Sequence, residues 1–350
     1  MKTGFARLAA ALGLAALTAA ATPAEAQDKK VRLQFAGAFP SSMQILGPAQ
    51  TRTIEYMKKL SNGTLDVKFF EPGALIPGSQ YFDAVSNGSL DMAYTAAGYF
   101  TGKDIAFAMF TTVPFGPDAG EFLAWYEYGG GNELMKEMHA KYNIVAVNCG
   151  IISPEASGWF RKEINTVDDL KGLKMRFFGL GANVMQKLGV ATQLLQAGEI
   201  FQALQLGTID ATEFSMPTMD LSLGFYQVAK YYYFPGWHQQ TSIGQLYISK
   251  AKWDEMSQHQ KDVVELACKA QMLQELAESE AKQFGAMKEL QAKGVIIKKW
   301  SPEILKVMEE KWQEVIKEES AKSANFKKVW DSYSKFRADY AIWREHGYMK

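Results

Sequence analysis

Phe82-Asp83-Ala84-Val85-Ser86-Asn87-Gly88-Ser89-Leu90-Asp91-Met92-Ala93 and Phe201-Gln202-Ala203-Leu204-Gln205-Leu206-Gly207-Thr208-Ile209-Asp210-Ala211-Thr212 carry the same pattern, Phe-x-Ala-x-x-x-Gly-x-apolar-Asp, at identical spacing. Each copy reads as a short helix, a left-handed glycine stop and a strand. A repeat of this kind, far apart in one chain, predicts an α/β protein of two similarly built lobes. Upstream of the first copy, Val31-Arg32-Leu33-Gln34-Phe35 alternates as a strand does. Met43 to Leu60 has helical spacing, Ser61-Asn62-Gly63 ends it, and Thr64 to Phe69 alternates again. That βαβ unit implies parallel strands with helices covering the sheet faces. In open α/β sheets ligands sit beyond the carboxyl ends of the strands. The segments after the two copies, Tyr94 to Tyr99 and Glu213 to Pro217, therefore face a common cleft.

The chain of 350 residues is long enough for two domains with separate cores. Its 38 basic and 38 acidic residues balance, which argues against a dedicated nucleic-acid binder. Met1 to Ala26 begins with Lys2 and Arg7, continues through an Ala/Leu run and ends Pro23-Ala24-Glu25-Ala26, the pattern of a cleavable export signal. The apolar run is too short to cross a bilayer. We expect a soluble, exported mature protein, with 27–150 mainly in the first lobe and 151–250 mainly in the second. Residues 251–350 read as crossing helices and an extended helical C-terminal region. Its late aromatics Trp312, Trp330, Tyr333, Phe336, Tyr340 and Trp343 need a surface to pack on, either the second lobe or a second copy of the chain. Cys149 and Cys268 leave two outcomes open, one disulfide or two buried thiols.

The sequence has no HExxH, GxSxG or GxxxxGK[ST]. Its four histidines are scattered without metal-ligand spacing, and Gly179-Leu180-Gly181 reads as a tight turn. Four places could hold a ligand. Arg176 ends a strand-like segment, where its fork of donors suits a carboxylate. Glu213 stands beside Phe214-Ser215-Met216-Pro217 and needs a cationic partner there. Trp237-His238-Gln239-Gln240 follows Tyr231 to Gly236 as a strand entering a turn. Glu155 precedes Gly158-Trp159-Phe160.

GWFRKEI at 158–164, DLKGLKMR at 169–176, LGTIDATE at 206–213, YYYFPGW at 231–237, and the first-lobe copy followed by AGYF resemble the DctP-type solute-binding proteins of TRAP transporters. Within that family the chain is most similar to the binders of 2-oxo acids and monocarboxylates, the TakP branch. The resemblance implies a two-lobe periplasmic binding protein fold with the ligand cleft between the lobes. It implies capture of a small organic acid, a 2-oxo or 2-hydroxy monocarboxylate, with a sodium or calcium ion, and delivery to a membrane permease. It also implies a homodimer formed through a C-terminal helix, and a periplasmic receptor with no catalytic residues. Carried over residue by residue, Arg176 matches the carboxylate-binding arginine, and Tyr99 an aromatic at the cleft mouth. Glu155, Phe214 and Trp237 join them around the acid. Glu155, Glu213, Gln239 and the main-chain carbonyl of Phe214 make the expected metal set. The chain departs from the branch at Phe214, where Trp is usual, and reciprocally at Glu155, where Gln is usual, and Gln239, where Glu is usual; Phe177-Phe178 also replace smaller residues. Arginine with rings would also serve an aromatic, sulfonated or dicarboxylic acid. A secreted hydrolase using Glu155 and Glu213 as an acid and base pair is the alternative from another class.

Overall fold

A computed structural model describes residues 28–349. The expected export signal, Met1 to Ala26, lies outside the described residues. The strands are β1 (Val31–Gly37), β2 (Leu65–Phe70), β3 (Met92–Thr95), β4 (Ile144–Ile152), β5 (Gly158–Phe160), β6 (Lys174–Arg176), β7 (Ala191–Gln193), β8 (Ala211–Thr212), β9 (Tyr231–Phe234), β10 (Ser242–Ser249) and β11 (Ile296–Lys299). They build two sheets, ordered β2-β1-β3-β10-β4 and β11-β9-β5-β8-β6-β7.

The two sheets share one topology. β1 lies parallel between β2 and β3, as β6 lies parallel between β7 and β8. An antiparallel pair then follows in each, β10 with β4 and β5 with β9. β11 extends the second sheet beside β9. The repeated motif has the same structural job in both. Helices Tyr81–Ser86 and Ala197–Gln205 are followed by Gly88 and Gly207 at φ 78° and 73°, a region glycine enters without steric cost. The repeated aspartates then reach across to the neighbouring parallel strand. Asp91 accepts from the Gln34 N–H at 2.8 Å, and Asp210 from the Lys174 N–H at 3.0 Å.

The chain passes between lobes more than once. Residues 151–250, expected mainly in the second lobe, give their last stretch, Ser242–Ser249, back to the first sheet as β10, because its backbone groups pair on both edges with β3 and β4. The helix Gln258–Ala292, about 50 Å long at 1.5 Å per residue, packs on β4 at one end and on helix Pro217–Leu223 of the second lobe at the other. A capping box starts it, Ser257 and Gln260 each accepting the other's backbone N–H at 3.1 Å. The open question over the cysteines resolves as one disulfide, Cys149 on β4 to Cys268 on this helix. No helix among the described residues is long and apolar enough to cross a membrane.

The late aromatics find their surface mostly within the chain. Helix Pro302–Lys322 packs on Gly179–Lys187 of the second lobe, whereas Ala324–His346 returns to the first. Trp312 meets Trp330 edge-on at 5.8 Å, and Tyr333 meets Trp125 at 5.3 Å. Buried Glu121 locks the helix by accepting from Arg337 Nε at 2.9 Å and Arg344 Nη2 at 2.6 Å. Toward the end of the helix the large apolar side chains Ile342 and Trp343, and Tyr348 just past it, are exposed.

In the first-lobe core, His139 lies between the Met135 carbonyl at 2.8 Å and the Tyr247 hydroxyl at 2.9 Å, and burial lowers its pKa to about 4. The folded state therefore resists a proton that the unfolded chain accepts near its ordinary value of 6.5. The stability this gives is complete above that value and is lost as pH falls toward 4. Denaturant titrations between these limits should show a fall of up to about 1.4 kcal/mol per pH unit, reduced in a His139→Gln variant. Equal slopes in the two proteins would remove His139 as the cause.

Candidate functional site: a cleft holding an arginine, two carboxylates and a histidine

β6 and β8 are parallel neighbours with Arg176 opposite Thr212, so Glu213, the next residue, falls beside Arg176. The Glu213 N–H donates to the Arg176 carbonyl at 3.2 Å. In return Arg176 Nη1 donates to Glu213 Oε1 at 2.6 Å and to its carbonyl at 2.8 Å. Arg176 Nε donates to the Leu195 carbonyl at 3.2 Å, and the Phe178 N–H to Glu213 Oε1 at 2.5 Å. Both side chains are buried. The Phe214 ring lies 5.4 Å from the guanidinium carbon, on its face.

Glu155 and Gln239 reach the same place through the crossing segments. The Glu155 N–H donates to the Gln239 carbonyl at 3.1 Å, and the Ala156 N–H to the Ser215 carbonyl at 3.0 Å. Ser215 Oγ donates to Glu155 Oε1 at 3.0 Å. Behind them Asp220 holds the 213–217 turn, accepting from the Ser215 N–H at 3.2 Å, Trp159 Nε1 at 2.9 Å and the Tyr232 hydroxyl at 2.8 Å. Burial raises the Asp220 pKa to about 7. Burial, and after it the nearby Glu213 charge, push the Glu155 carboxyl well above the usual carboxylate range.

His238 completes the cluster. Its Nε2 is 3.5 Å from Glu213 Oε2 and 3.9 Å from Glu155 Oε2, and one ligand atom from each of the three lies within 4.8 Å of the others. Among the described residues Glu155 Oε2, Glu213 Oε2, Gln239 Oε1 and both His238 ring nitrogens are buried without a hydrogen-bond partner. One such atom from each of Glu155, Glu213 and His238 can meet a common guest, with Gln239 alongside. A cation bound by oxygen and one imidazole nitrogen at about 2.0–2.6 Å fits those separations and satisfies the carboxylate and amide oxygens left without a donor.

Part of this cluster borders a cavity of about 50 Å³ between the lobes. The second lobe and crossing segments supply Glu155, Arg176, Phe178, Phe214, Ser215 and Gln239, and the first lobe supplies Tyr94, Ala96, Tyr99 and Thr111. The segments after both copies of the motif thus meet there. At about 10–15 Å³ per water the space holds a few water-sized groups, the scale of a short acid. Tyr99 stands against Phe178 at 4.8 Å, across the lobes, and near Arg176. Glu213, bonded to Arg176, and His238 lie behind the lining residues. Trp237 is turned away, stacked on Phe115 at 5.5 Å, where its carbonyl accepts the Phe115 N–H at 2.7 Å. Phe177 packs behind with Trp237 and His238, so of the two phenylalanines only Phe178 narrows the cavity. The histidine escaped the spacing analysis because its partners are distant in sequence, though its place beside Gln239 pointed to it.

The lobes close tightly at Gly98. A Cβ there would stand 2.4 Å from Phe178 Cζ. Gly98→Ala should hold the lobes apart at an overpacking cost of about 1–3 kcal/mol, weakening ligand affinity roughly five- to hundredfold while each lobe keeps its stability. Unchanged affinity by calorimetry would show that this contact does not govern closure.

The fold and the site are those of a cleft receptor for a small polar ligand. The chain belongs to family 7 of the bacterial extracellular solute-binding proteins, whose model matches residues 35–323, and so to the DctP-type receptors of TRAP transporters. It is 33% identical over 313 residues to a monocarboxylate 2-oxoacid-binding periplasmic protein of Nostoc sp., covering 89% of this chain and 86% of that one. Among solved structures, it resembles a TRAP solute-binding protein from Bordetella bronchiseptica with bound calcium and picolinate, at 33% identity and TM-score 0.88 over 90% of this chain and 94% of that one. A second, from Pseudoalteromonas atlantica with bound sodium and pyruvate, gives 32% identity and TM-score 0.87 over 90% and 96%. Membership of a solute-binding family, with no positive sign of catalysis, does not favour the hydrolase alternative.

Proposed function

We propose that this protein is a non-enzymatic periplasmic receptor that captures a short 2-oxo or 2-hydroxy monocarboxylate together with a divalent cation and passes it to a TRAP permease. The observation that carries the reading is the Arg176–Glu213 pair beside Glu155 at a small cavity between the lobes, with carboxylate oxygens left over. Charge counting supports the cation wherever both carboxylates are ionised. Ionised Glu155 and Glu213 against Arg176 leave one net negative charge, which repels an anionic ligand. A divalent ion reverses the sign, and a bound monocarboxylate then brings the site to neutrality. Glu155, Glu213, Gln239 and the Phe214 carbonyl would hold the ion, with His238 beside them; the ion supplies attraction for the acid's oxygens. Arg176 Nη2, which carries none of the bonds described, offers its N–H groups to the carboxylate, and Tyr99 closes over it. Calcium with picolinate in one relative supports a divalent ion, and pyruvate in another, there with sodium, supports a short 2-oxo acid.

The leader read in the first residues supports export, and the exposed end of the last helix, with Ile342, Trp343 and Tyr348, supports a homodimer contact. Native mass spectrometry of the purified mature chain reads all three features. We expect one acid and one cation per chain, unmodified acid on release, and a dimer mass. A chain that carries neither acid nor cation and takes up none when supplied would overturn the receptor reading, and a strictly monomeric mass the dimer.

A further inference from the structure

The cavity has a second polar end that the capture of a carboxylate does not use. Glu275, on the long crossing helix, and Tyr94, at the end of β3, both line it and both are fully buried. Among the described residues Tyr94 Oη and Glu275 Oε1 have no hydrogen-bond partner. Glu275 Oε2 accepts the Ile151 N–H at 3.0 Å. The two side chains converge over Gly150, where a Cβ would lie 1.9 Å from Tyr94 Oη and 2.7 Å from Glu275 Oε2. Only a glycine leaves them that room. This end is distinct from the arginine end: Tyr99 feels the charges of Arg176, Glu213 and Glu155, whereas Tyr94 feels those of Glu275 and Arg52. Apolar Ile151, Ile152, Phe178 and Phe214 also line the cavity.

We propose that Tyr94 and Glu275 form a recognition site for the tail of the ligand, selecting acids that carry a neutral hydroxyl or keto oxygen at the end remote from the carboxylate. This deepens the reading of the cleft as a carboxylate receptor and rests on it. Two buried polar groups without partners are costly in an empty or methyl-filled cavity and are relieved by one oxygen placed between them. Burial raises the Glu275 pKa to about 8, against the lowering effects of the Ile151 N–H, of the Arg52 charge and of the nearby Gln271 amide, one turn earlier, whose Nε2 makes no hydrogen bond of good geometry among the described residues. Glu275 is therefore largely a neutral carboxyl near neutral pH, able to donate as well as accept, and Tyr94 donates or accepts. A second carboxylate is disfavoured here. Arg52, the cation nearby, is already engaged by Gln271 at 2.6 Å and Glu278 at 3.0 Å.

The test titrates the mature full-length chain by calorimetry, with calcium present, against two matched pairs of acids of different length: hydroxypyruvate with 2-oxobutanoate, and 4-hydroxy-2-oxobutanoate with 2-oxopentanoate. In at least one pair the hydroxylated acid should bind about tenfold or more tightly than its methyl-tailed isostere, because a site built to hydrogen-bond rejects the analogue that cannot. Glu275→Gln, which keeps a neutral donor and acceptor, should retain the preference, and Glu275→Leu should erase it. Tyr94→Phe should reduce it, and it keeps the test decisive if Glu275→Leu does not fold. A wild-type protein that binds both members of each pair equally, or a preference that survives in every folded variant of Glu275 and Tyr94, overturns the tail site while leaving the carboxylate receptor standing. Failure to bind any of the four acids counts against both.

Discussion

Arg176→Ala is expected to lower affinity for the captured acid by about a hundredfold or more, and to lower stability as well. The guanidinium serves two anions, Glu213 within the protein and the carboxylate of the ligand. A charge-assisted hydrogen bond of the buried kind contributes about 1.5–3 kcal/mol, and the upper part of that range is a factor of about a hundred in Kd. The stability loss has a separate origin. With Arg176 gone, Glu213 remains buried with its main cationic partner removed, a situation that costs about 3–5 kcal/mol in proteins generally. Adding Glu213→Gln to Arg176→Ala should recover much of the stability and none of the binding, since the second change removes the stranded charge and cannot replace the donor. Arg176→Lys should bind at an intermediate level, because an ammonium keeps the charge but not the fork. Calorimetry and denaturant melts of the four proteins check this. Full binding by a folded Arg176→Ala protein would remove the arginine from the site.

Stripping the protein of cations with a chelator, in sodium-free buffer, should abolish acid binding, and calcium should restore it. The reason is the sign of the charge in the cleft. Without the ion, an acid entering meets the ionised Glu155 and Glu213 together, with Arg176 neutralising only one of them, or meets a protonated Glu155 and an arginine already paired with Glu213. Two unit charges at about 4 Å repel by about 4 kcal/mol at the effective dielectric of partly screened sites, close to a thousandfold in affinity. Acidification should weaken ion uptake: the Glu155 carboxyl, pushed up by burial and by Glu213, must release its proton before it can ligate. Glu213→Gln should reduce calcium uptake more than Gln239→Glu, which adds an oxygen of the kind the ion prefers. Acid affinity that survives removal of every cation would show that Glu155 balances the cleft as a neutral carboxyl.

Much of the architecture was legible because it is written in short-range pattern. The period-two strand at Val31, the helical spacing from Met43 to Leu60 and the left-handed glycines at Gly88 and Gly207 are local consequences of backbone sterics. The repeat of that grammar pointed to two lobes of like construction, and the two sheets share one topology. Its terminal aspartates hold the neighbouring parallel strand through Gln34 and Lys174. The fate of the cysteines, the return of Ser242–Ser249 to the first sheet and the first-lobe surface covered by the last helix were not legible. Each depends on pairing between segments remote in sequence, and residue pattern carries no register for such pairs.

The same division runs through the site. Residue chemistry by itself determined that Arg176 suits a carboxylate and that Glu213 among apolar neighbours requires a cation. It also placed the segments after the two repeated motifs at the cleft. Only the tertiary structure decided that Arg176 and Glu213 are partners, since that follows from the parallel register of β6 and β8. It turned Trp237 away onto Phe115, and it brought His238 within reach of Glu155 and Glu213. It also closed the far end of the cavity with Tyr94 and Glu275, residues on different elements that gave no sign of a shared task. A chain's composition states which groups must find partners when buried; which partners they find is set by the convergence of strands, crossing segments and a helix, and that is a property of the fold.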